Sequence, residues 1–398
     1  MTGAGSALFV MNFHATPRFP RGFRNASRNC GIKPEGRDLS LFVSDVDAAA
    51  AAVFTRNRFP GAPILLGRET IRAGVLRAVV VNSRVSNVAT GEEGLANARR
   101  MAAAAAAELG TDPSRVLVSS TGVIGVPLPI DRIESGLRGM AAELVDNPLV
   151  GAEGIMTTDT HPKALSMTVG DATLTIVAKG SGMIEPNMAT MLAYVFTDAR
   201  MDAGTLDVML RDAVDGSFNM LSVDTDTSTS DTCAILANGL AGTVDPGAWS
   251  DALHAACVRM TEILARDGEG ATKLLRATVR GAASLQEARL VAKTLVNSPL
   301  IKTMAYGADP NVGRILMAVG KCFDAGYEPA RVGASINGFV VVENGSRARF
   351  EDARVRAELA GDVVDLEVDL GGGGAEATAY GCDLTEGYVR ENAAYYSS

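Results

Sequence analysis

Apolar positions along this chain fall into two kinds of run. From 172 to 178 they alternate as Ala-Thr-Leu-Thr-Ile-Val-Ala, the period of two that turns one side of a strand to a core. Val75–Val81 and Arg115–Ser119 are short β-branched runs bounded by turn residues and predict further strands. Ala48–Phe54 and Gly94–Leu109 are rich in alanine and predict helices. Thr190–Phe196 predicts a strand reached from 172–178 through a link of Gly, Pro and Asn. Asp251–Arg266 reads as an amphipathic helix, Lys273–Arg280 as a strand, and Asn311–Gly320 as a helix entered from Asp-Pro. Val363–Leu370 and Glu376–Cys382 predict a hairpin turned by Gly371–Gly374.

These elements imply a mixed α/β protein. Because the strands connect mostly as hairpins, an antiparallel or mixed sheet layered with helices is expected rather than a doubly wound parallel one. No internal repeat or linker divides the chain, and a boundary within 281–300 would set off a smaller C-terminal subdomain. The length of 398 residues fits two or three domains or one large α/β unit. With 47% apolar and 21% charged residues and a mean hydropathy of +0.14, the chain can bury a sizeable core.

Charge narrows the partners. The balance of 37 Lys+Arg against 46 Asp+Glu leaves −9, with no basic block, which argues against nucleic acid. Uncharged apolar runs such as Met101–Ala107 fall short of the roughly 20 residues that cross a bilayer, so no membrane partner is expected. Ala7–Met11 lacks the basic lead-in of a signal peptide, and a cytoplasmic location follows. The cysteines Cys30, Cys233, Cys257, Cys322 and Cys382 are odd in number and without CxxC, so reduced core thiols are expected. His14, His161 and His254 form no metal-binding pair, and no metal site is expected.

Two glycine-rich segments fail as nucleotide loops. Gly320-Lys321-Cys322 lacks the Mg²⁺-binding hydroxyl, and Ile315 stands where the first loop glycine belongs. Gly371–Gly374 reaches Glu376 where a GxGxxG needs glycine. A different loop, Lys179-Gly-Ser-Gly-Met-Ile-Glu-Pro-Asn-Met-Ala-Thr190, ends on a hydroxyl at the head of a strand. Threonine is a weak nucleophile without a nearby base, and its own α-amine, with a reference pKa of about 7.7–8.0, is one available base. That amine exists only if the Ala189–Thr190 bond is cut; otherwise the segment is an ordinary strand entry.

Ser119-Ser-Thr-Gly-Val-Ile-Gly125 follows a strand and sets a Thr-Gly pair in a turn, which can aim a hydroxyl and a backbone N–H at one oxyanion. A plain strand-ending turn explains it equally. Gly154-Ile-Met-Thr-Thr-Asp-Thr-His161 and Asp224-Thr-Asp-Thr-Ser-Thr-Ser-Asp231 are dense in hydroxyls and carboxylates. The second lacks the glycine and terminal glutamate of a calcium loop, and both suit hydrogen-bonded loops around a polar ligand.

Together and in this order, these blocks resemble the ornithine acetyltransferase family, the bifunctional glutamate N-acetyltransferases of cyclic arginine biosynthesis. The likeness runs through Gly31-Ile-Lys33, Ser120-Thr-Gly-Val-Ile-Gly125, Met156-Thr-Thr-Asp-Thr160, Lys179-Gly-Ser-Gly-Met183 and Pro186-Asn-Met-Ala-Thr-Met-Leu192. It continues through Asp267-Gly-Glu-Gly-Ala-Thr-Lys273, Asp309-Pro-Asn311 and Cys382-Asp-Leu-Thr385 to Asn392, nearly the whole chain.

The resemblance implies an αββα-type layered fold, similar in chemistry to N-terminal nucleophile hydrolases. It implies self-cleavage between Ala189 and Thr190, giving an alpha chain of 1–189 and a beta chain of 190–398 that form one active site and assemble as an α2β2 heterotetramer. Thr190 would be the nucleophile, with Thr121 and Gly122 as oxyanion donors. Thr157, Lys179, Thr190, Glu269, Asn392 and Ser397 would hold the substrate; the cation of Lys179 suits a carboxylate and Glu269 an ammonium. The implied reaction is ping-pong acetyl transfer from N-acetyl-L-ornithine, or a related N-acetyl-amino acid, to L-glutamate without a cofactor. Acetyl-CoA is the alternative acetyl donor, and hydrolysis by the same threonine or a role in specialised metabolism are the alternative activities.

Two stretches depart from the family. Its usual Asn-Ser-Gly-Asn-Ala-Asn-Ala is here Asn82-Ser-Arg-Val-Ser-Asn-Val88, and its usual Trp after Asp-Pro-Asn is Val312, which leaves Trp249 as the lone tryptophan. These changes spare the nucleophile and oxyanion residues and bear on the substrate; Arg84 adds a charge.

Overall fold

The computed structural model describes residues 13–185 and 191–393. Ala7–Met11, the Ala189–Thr190 pair and Ser397 lie outside the described residues.

One sheet of eight strands contains β1 (Phe23–Arg28), β2 (Leu39–Phe54), β3 (Val75–Asn82), β4 (Val116–Ser120), β5 (Lys163–Val169), β6 (Ala172–Lys179), β7 (Leu192–Ala199) and β8 (Thr232–Gly242). Its order is β4-β3-β2-β8-β7-β6-β5, with β1 beside β2. The pairs β3/β4 and β7/β8 are parallel and the rest antiparallel, the mixed pattern expected.

Strand β2 shapes this sheet. Its first half pairs with β3 and its second with β8, and the register shifts between Val43 and Ala48 across the exposed Asp45, Val46 and Asp47. The strand bends there and folds the sheet into two facing layers. Phe42 of the first half accordingly meets Tyr194 and Phe196 of β7 at ring distances of 5.6 and 5.5 Å, contacts a flat sheet would forbid. Val79, Val81 and Leu117 from one layer and Leu192, Ala234 and Leu236 from the other complete the core between them.

Helices cover the outer faces. α1 (Ala62–Thr70), α2 (Gly91–Leu109) and α3 (Ile130–Leu137) pack on the layer of β3 and β4, and α4 (Pro148–Ile155) adds Ala152 and Ile155 to the core between the layers. α5 (Ala203–Asp215) and α6 (Pro246–Arg266) cover the layer of β5 to β8. Asp202 and Asp245 start these two helices, accepting from Thr205 N at 3.0 Å and Ala248 N at 2.8 Å. The result is the layered α/β class expected from the sequence.

A six-stranded sheet follows: β9 (Leu274–Ala282), β10 (Gly333–Ile336), β11 (Phe339–Glu343), β12 (Ser346–Arg347), β13 (Val363–Asp369) and β14 (Ala375–Cys382). α7 (Leu285–Asn297) packs on it, with α8 (Pro299–Tyr306) and α9 (Val312–Gly320) behind; α10 (Asp352–Leu359) lies beside β13, and α11 (Glu386–Asn392) follows β14. α6 touches both sheets, and its Glu262 accepts from Arg276 of β9 at 3.1 Å.

Two expectations fail. Ala48–Phe54 is not a helix but the second half of β2. Ala48, Ala50 and Ala52 face the core between the layers while Ala51 and Val53 face the core on the α5 and α6 side, so small side chains serve a strand covered on both faces. Pairing with β8 and burial on both faces override alanine's helix propensity. β13 and β14 do form, but not as a hairpin: β9 lies between them, parallel to β13 and antiparallel to β14. The glycine link crosses the end of β9, where Gly372 N and Gly373 N both donate to Gly281 O at 2.8 Å.

The aromatic contacts around Phe196 test the interlayer core. Phe196→Ala removes a ring that touches Phe19, Phe23 and Phe42, and unfolding in urea should show a loss of about 3–5 kcal/mol. A loss below about 1 kcal/mol would contradict this packing.

Candidate active site

The bend in β2 decides where a site can form. Folding the sheet brings its two far ends together, so the ends of β3 and β4 in one layer meet the end of β6 and the starts of β7 and β8 in the other. A cleft of about 700 Å³ lies at this junction. Thr121 and Gly122 enter it just after β4, Thr157 just after α4, and Lys179 as the last residue of β6. Glu269 comes from the turn between α6 and β9, and Asn392 from the end of α11. The structure thus gathers every described candidate residue in one cleft. Met191, joined by its peptide bond to Thr190, lines it too.

Buried charge organises the floor. Asp159 accepts from Lys163 Nζ at 2.6 Å, Thr157 N at 2.9 Å and Gly180 N at 2.6 Å. Burial opposes its ionisation, but the Lys179 and Lys163 charges and these hydrogen bonds outweigh it and hold the carboxyl well below the usual range. Lys163 also pairs with Asp267, which accepts from Thr160 N at 3.1 Å. Lys179 Nζ donates to Thr157 Oγ1 at 2.7 Å and stands 4.0 Å from Asp159. Burial lowers its pKa, and Asp159 chiefly counters that shift.

Opposite, Glu269 Oε2 accepts from Asn392 Nδ2 at 2.7 Å. Gly182 makes room for this carboxylate: a Cβ there would lie 2.2 Å from it. Asp224 anchors the same loop, accepting from Met183 N at 2.7 Å and Ile184 N at 2.8 Å. A cation and an anion thus face one polar cleft, an arrangement suited to a zwitterionic amino acid.

The turn after β4 is held against the turn after β3. Thr121 N donates to Asn82 O at 3.1 Å and Val123 N to Arg84 O at 2.9 Å. The intervening Gly122 N–H has no partner among the described residues, as an oxyanion donor requires. Gly122 has φ +126°, and a Cβ there would stand 2.2 Å from the Arg84 carbonyl carbon. Arg84 itself adopts φ +82°, a conformation that favours glycine. Val312, the other departure, is buried in the core and does not line the cleft.

Asp159, Lys163, Asp224 and Asp267 were not singled out as site residues from the sequence, although three of them sit within the quoted blocks. Asp159 and Lys163 stand four apart, but not on a helix where that spacing would mark a pair, and only the fold brings Asp267 to Lys163. Asp231 was missed as well. It lines the cleft fully buried, Oδ2 has no hydrogen-bond partner among the described residues, and burial lifts its pKa well above the carboxylate range.

Two outcomes follow from these environments. The unfolded chain releases the Asp231 proton near pH 4 and the folded protein only at higher pH, so this group lowers stability progressively as pH rises through that window. Asp231→Asn should therefore gain stability over wild type progressively as pH rises above about 4 in urea titrations, and a constant difference would sink this assignment. Arg84→Gly should relieve the left-handed backbone and stabilise the fold by about 1 kcal/mol, read as a raised melting temperature.

Comparison with known proteins identifies the family. The model of the ArgJ family matches residues 24–397. The chain is 45% identical over 379 residues to arginine biosynthesis bifunctional protein ArgJ 2 of Clostridium acetobutylicum, spanning 94% of this chain and 97% of that protein. It is 44% identical over 388 residues to glutamate N-acetyltransferase Oat2 of Streptomyces clavuligerus, spanning 96% and 99%. Among solved structures, the arginine biosynthesis bifunctional protein of Bacillus halodurans matches with a TM-score of 0.50 and 40% identity, over 51% of this chain and 99% of that one. With its fold and near full-length likeness in agreement, the chain belongs to the ArgJ family of acyltransferases.

Proposed function

We propose that this protein transfers an acetyl group from N-acetyl-L-ornithine, or a related N-acetyl-amino acid, to L-glutamate, after cutting itself between Ala189 and Thr190. The observation that carries the reading is the convergence of Thr121, Gly122, Thr157, Lys179, Glu269 and Asn392 on one cleft that includes Met191, the residue bonded to Thr190. The solved Bacillus relative supports the cut: its chain is matched over 99% of its length yet spans 51% of this one, as one of two pieces would. The pieces, 1–189 and 190–398, stay together around the shared cleft and pair as an α2β2 assembly of cytoplasmic, cofactor-free enzyme.

In this reading the Thr190 hydroxyl attacks the acetyl carbonyl and passes its proton to the Thr190 α-amine. Negative charge gathers on the carbonyl oxygen, where the Thr121 hydroxyl and Gly122 N–H stabilise it by about 3–4 kcal/mol each. Collapse breaks the amide C–N bond, the Thr190 ammonium returns the proton to the departing amine, and an acetyl ester remains on Thr190. The glutamate α-amine then attacks that ester and gives a proton to the Thr190 α-amine; the second tetrahedral intermediate collapses with cleavage of the ester C–O bond, the proton passes to Thr190 Oγ, and N-acetyl-glutamate leaves. Lys179 holds the substrate carboxylate and Glu269, steadied by Asn392, the ammonium that is not acetylated. Ser397 completes the substrate contacts in this proposal.

Intact-mass measurement should find two fragments, the second beginning at Thr190, and Thr190→Ala should remain a single chain without turnover. Turnover by that variant would remove Thr190 from the mechanism. Acetate in place of N-acetyl-glutamate among the products would make the enzyme a hydrolase.

A further inference from the structure

The chain leaves β6 at Lys179 and comes back to the sheet at Leu192, and the residues on either side of 186–190 are anchored before and after that link. On the far side, Thr232 N at the start of β8 donates to Met191 O at 3.0 Å. On the near side the anchoring is denser. Asp224 accepts from Met183 N and Ile184 N, Val223 N donates to Ile184 O at 2.7 Å, Glu185 N donates to Asp226 O at 3.0 Å, and Thr227 Oγ1 donates to Glu185 O at 2.9 Å.

The side chain of Glu185 adds a second set of ties. Its Oε2 accepts from Asn297 Nδ2 at 2.8 Å and from Ser222 Oγ at 3.1 Å, and its Oε1 lies 3.3 Å from Lys293 Nζ. Lys293 and Asn297 stand four apart on α7, so one helix face presents both to the same carboxylate. Burial lowers the pKa of Lys293, and the Glu185 charge counters that shift. Asn297 Oδ1 is buried without a partner among the described residues, so the amide serves Glu185 at the expense of its own hydrogen bonding.

Glu185 is not among the residues that line the cleft. It stands four positions before Ala189, while Ser222, Asp224, Asp226, Thr227, Lys293 and Asn297 all follow Thr190 in the chain. The ties therefore join the stretch before the Ala189–Thr190 bond to the body of the chain after it.

We propose that the clamp of Lys293, Asn297 and Ser222 on Glu185 is a positioning device for self-cleavage, fixing the arm that carries the Ala189 carbonyl to the Thr190 hydroxyl. This rests on the self-cleavage reading above. In that step Thr190 Oγ bonds to the Ala189 carbonyl carbon, the hydroxyl proton moves to the Thr190 nitrogen, and the C–N bond breaks to leave an ester and a free amine. Water then opens the ester, adding OH to the Ala189 carbonyl carbon and H to Thr190 Oγ. Such an attack depends on near-contact geometry, and a misplacement of about 1 Å can cost about 100-fold in rate. Glu185 is a positioning residue, acting through the backbone that follows it.

The test makes the full chain in a short burst of cell-free synthesis and follows its conversion to two fragments by intact mass, well below the melting temperature. Glu185→Ala should slow cutting about tenfold or more. Lys293→Met and Asn297→Leu, which leave the arm unchanged, should slow it in the same direction. Glu185→Gln, which keeps an acceptor for Asn297 and Ser222, should recover part of the rate. Arg289→Ala breaks a different α7 ion pair, that of Arg289 with Asp215 at 2.6 Å, and should cut as wild type does. The cost of each substitution to the fold is read separately, as the melting temperature of the same variant carrying Thr190→Ala. The clamp is overturned, and self-cleavage kept, if Glu185→Ala is cut as fast as wild type, or if Arg289→Ala with an equal fall in melting temperature slows cutting as much. A wild-type chain that stays whole would end both readings.

Discussion

The carboxylate of Asp159 is the constraint on which this molecule's site depends. It is buried where a lone charge would be untenable, and it is tolerated because Lys163, two backbone N–H groups and the nearby Lys179 surround it. Removing one partner from such a cluster typically costs about 3–5 kcal/mol, because the remaining charges are left uncompensated. The same cluster ties the segment after α4, the start of β5, the end of β6 and, through Asp267, the segment after α6. Three stretches distant in sequence, 159–163, 179–180 and 267, are thereby held in one geometry.

That cluster needs the bend in β2 to matter. In a flat sheet the turn after β4 and the end of β6 would lie at opposite ends, too far apart for one ligand. Folding the sheet on itself around the aromatic contacts of Phe42, Tyr194 and Phe196 closes that distance. The interlayer core supplies the driving force for the fold, and the cleft is the edge that this core leaves open. The glycines then set the fine spacing: Gly122 lets two turns touch and Gly182 lets Glu269 approach.

Much of the site was legible in the sequence, because its residues stand in short blocks whose order resembles a known family. The polar loops 154–161 and 224–231 were readable as ligand loops on composition alone, and Thr157, Thr158 and Ser228 to Asp231 do line the cleft. The charge pairing was not legible. Lys163 and Asp267 are far apart in the chain, and nothing in either neighbourhood marks the other as its partner. Asp231 escaped notice because its unusual state comes from burial, which a sequence states only indirectly.

By itself the sequence determined the mixed α/β character, most strands and helices, and the family, since these follow from local periodicity, turn residues and ordered motifs. Tertiary structure decided that Ala48–Phe54 is a strand, because pairing with β8 along that edge and burial on both faces outweigh the helical preference of alanine. It decided that β9 separates β13 from β14, because strand order depends on which faces can be buried together and not on which strands are neighbours in sequence. It also decided that Arg84, a lone charge in the sequence, stands with Lys33 beside the cleft, because the folded sheet presses the turn after β3 against Gly122.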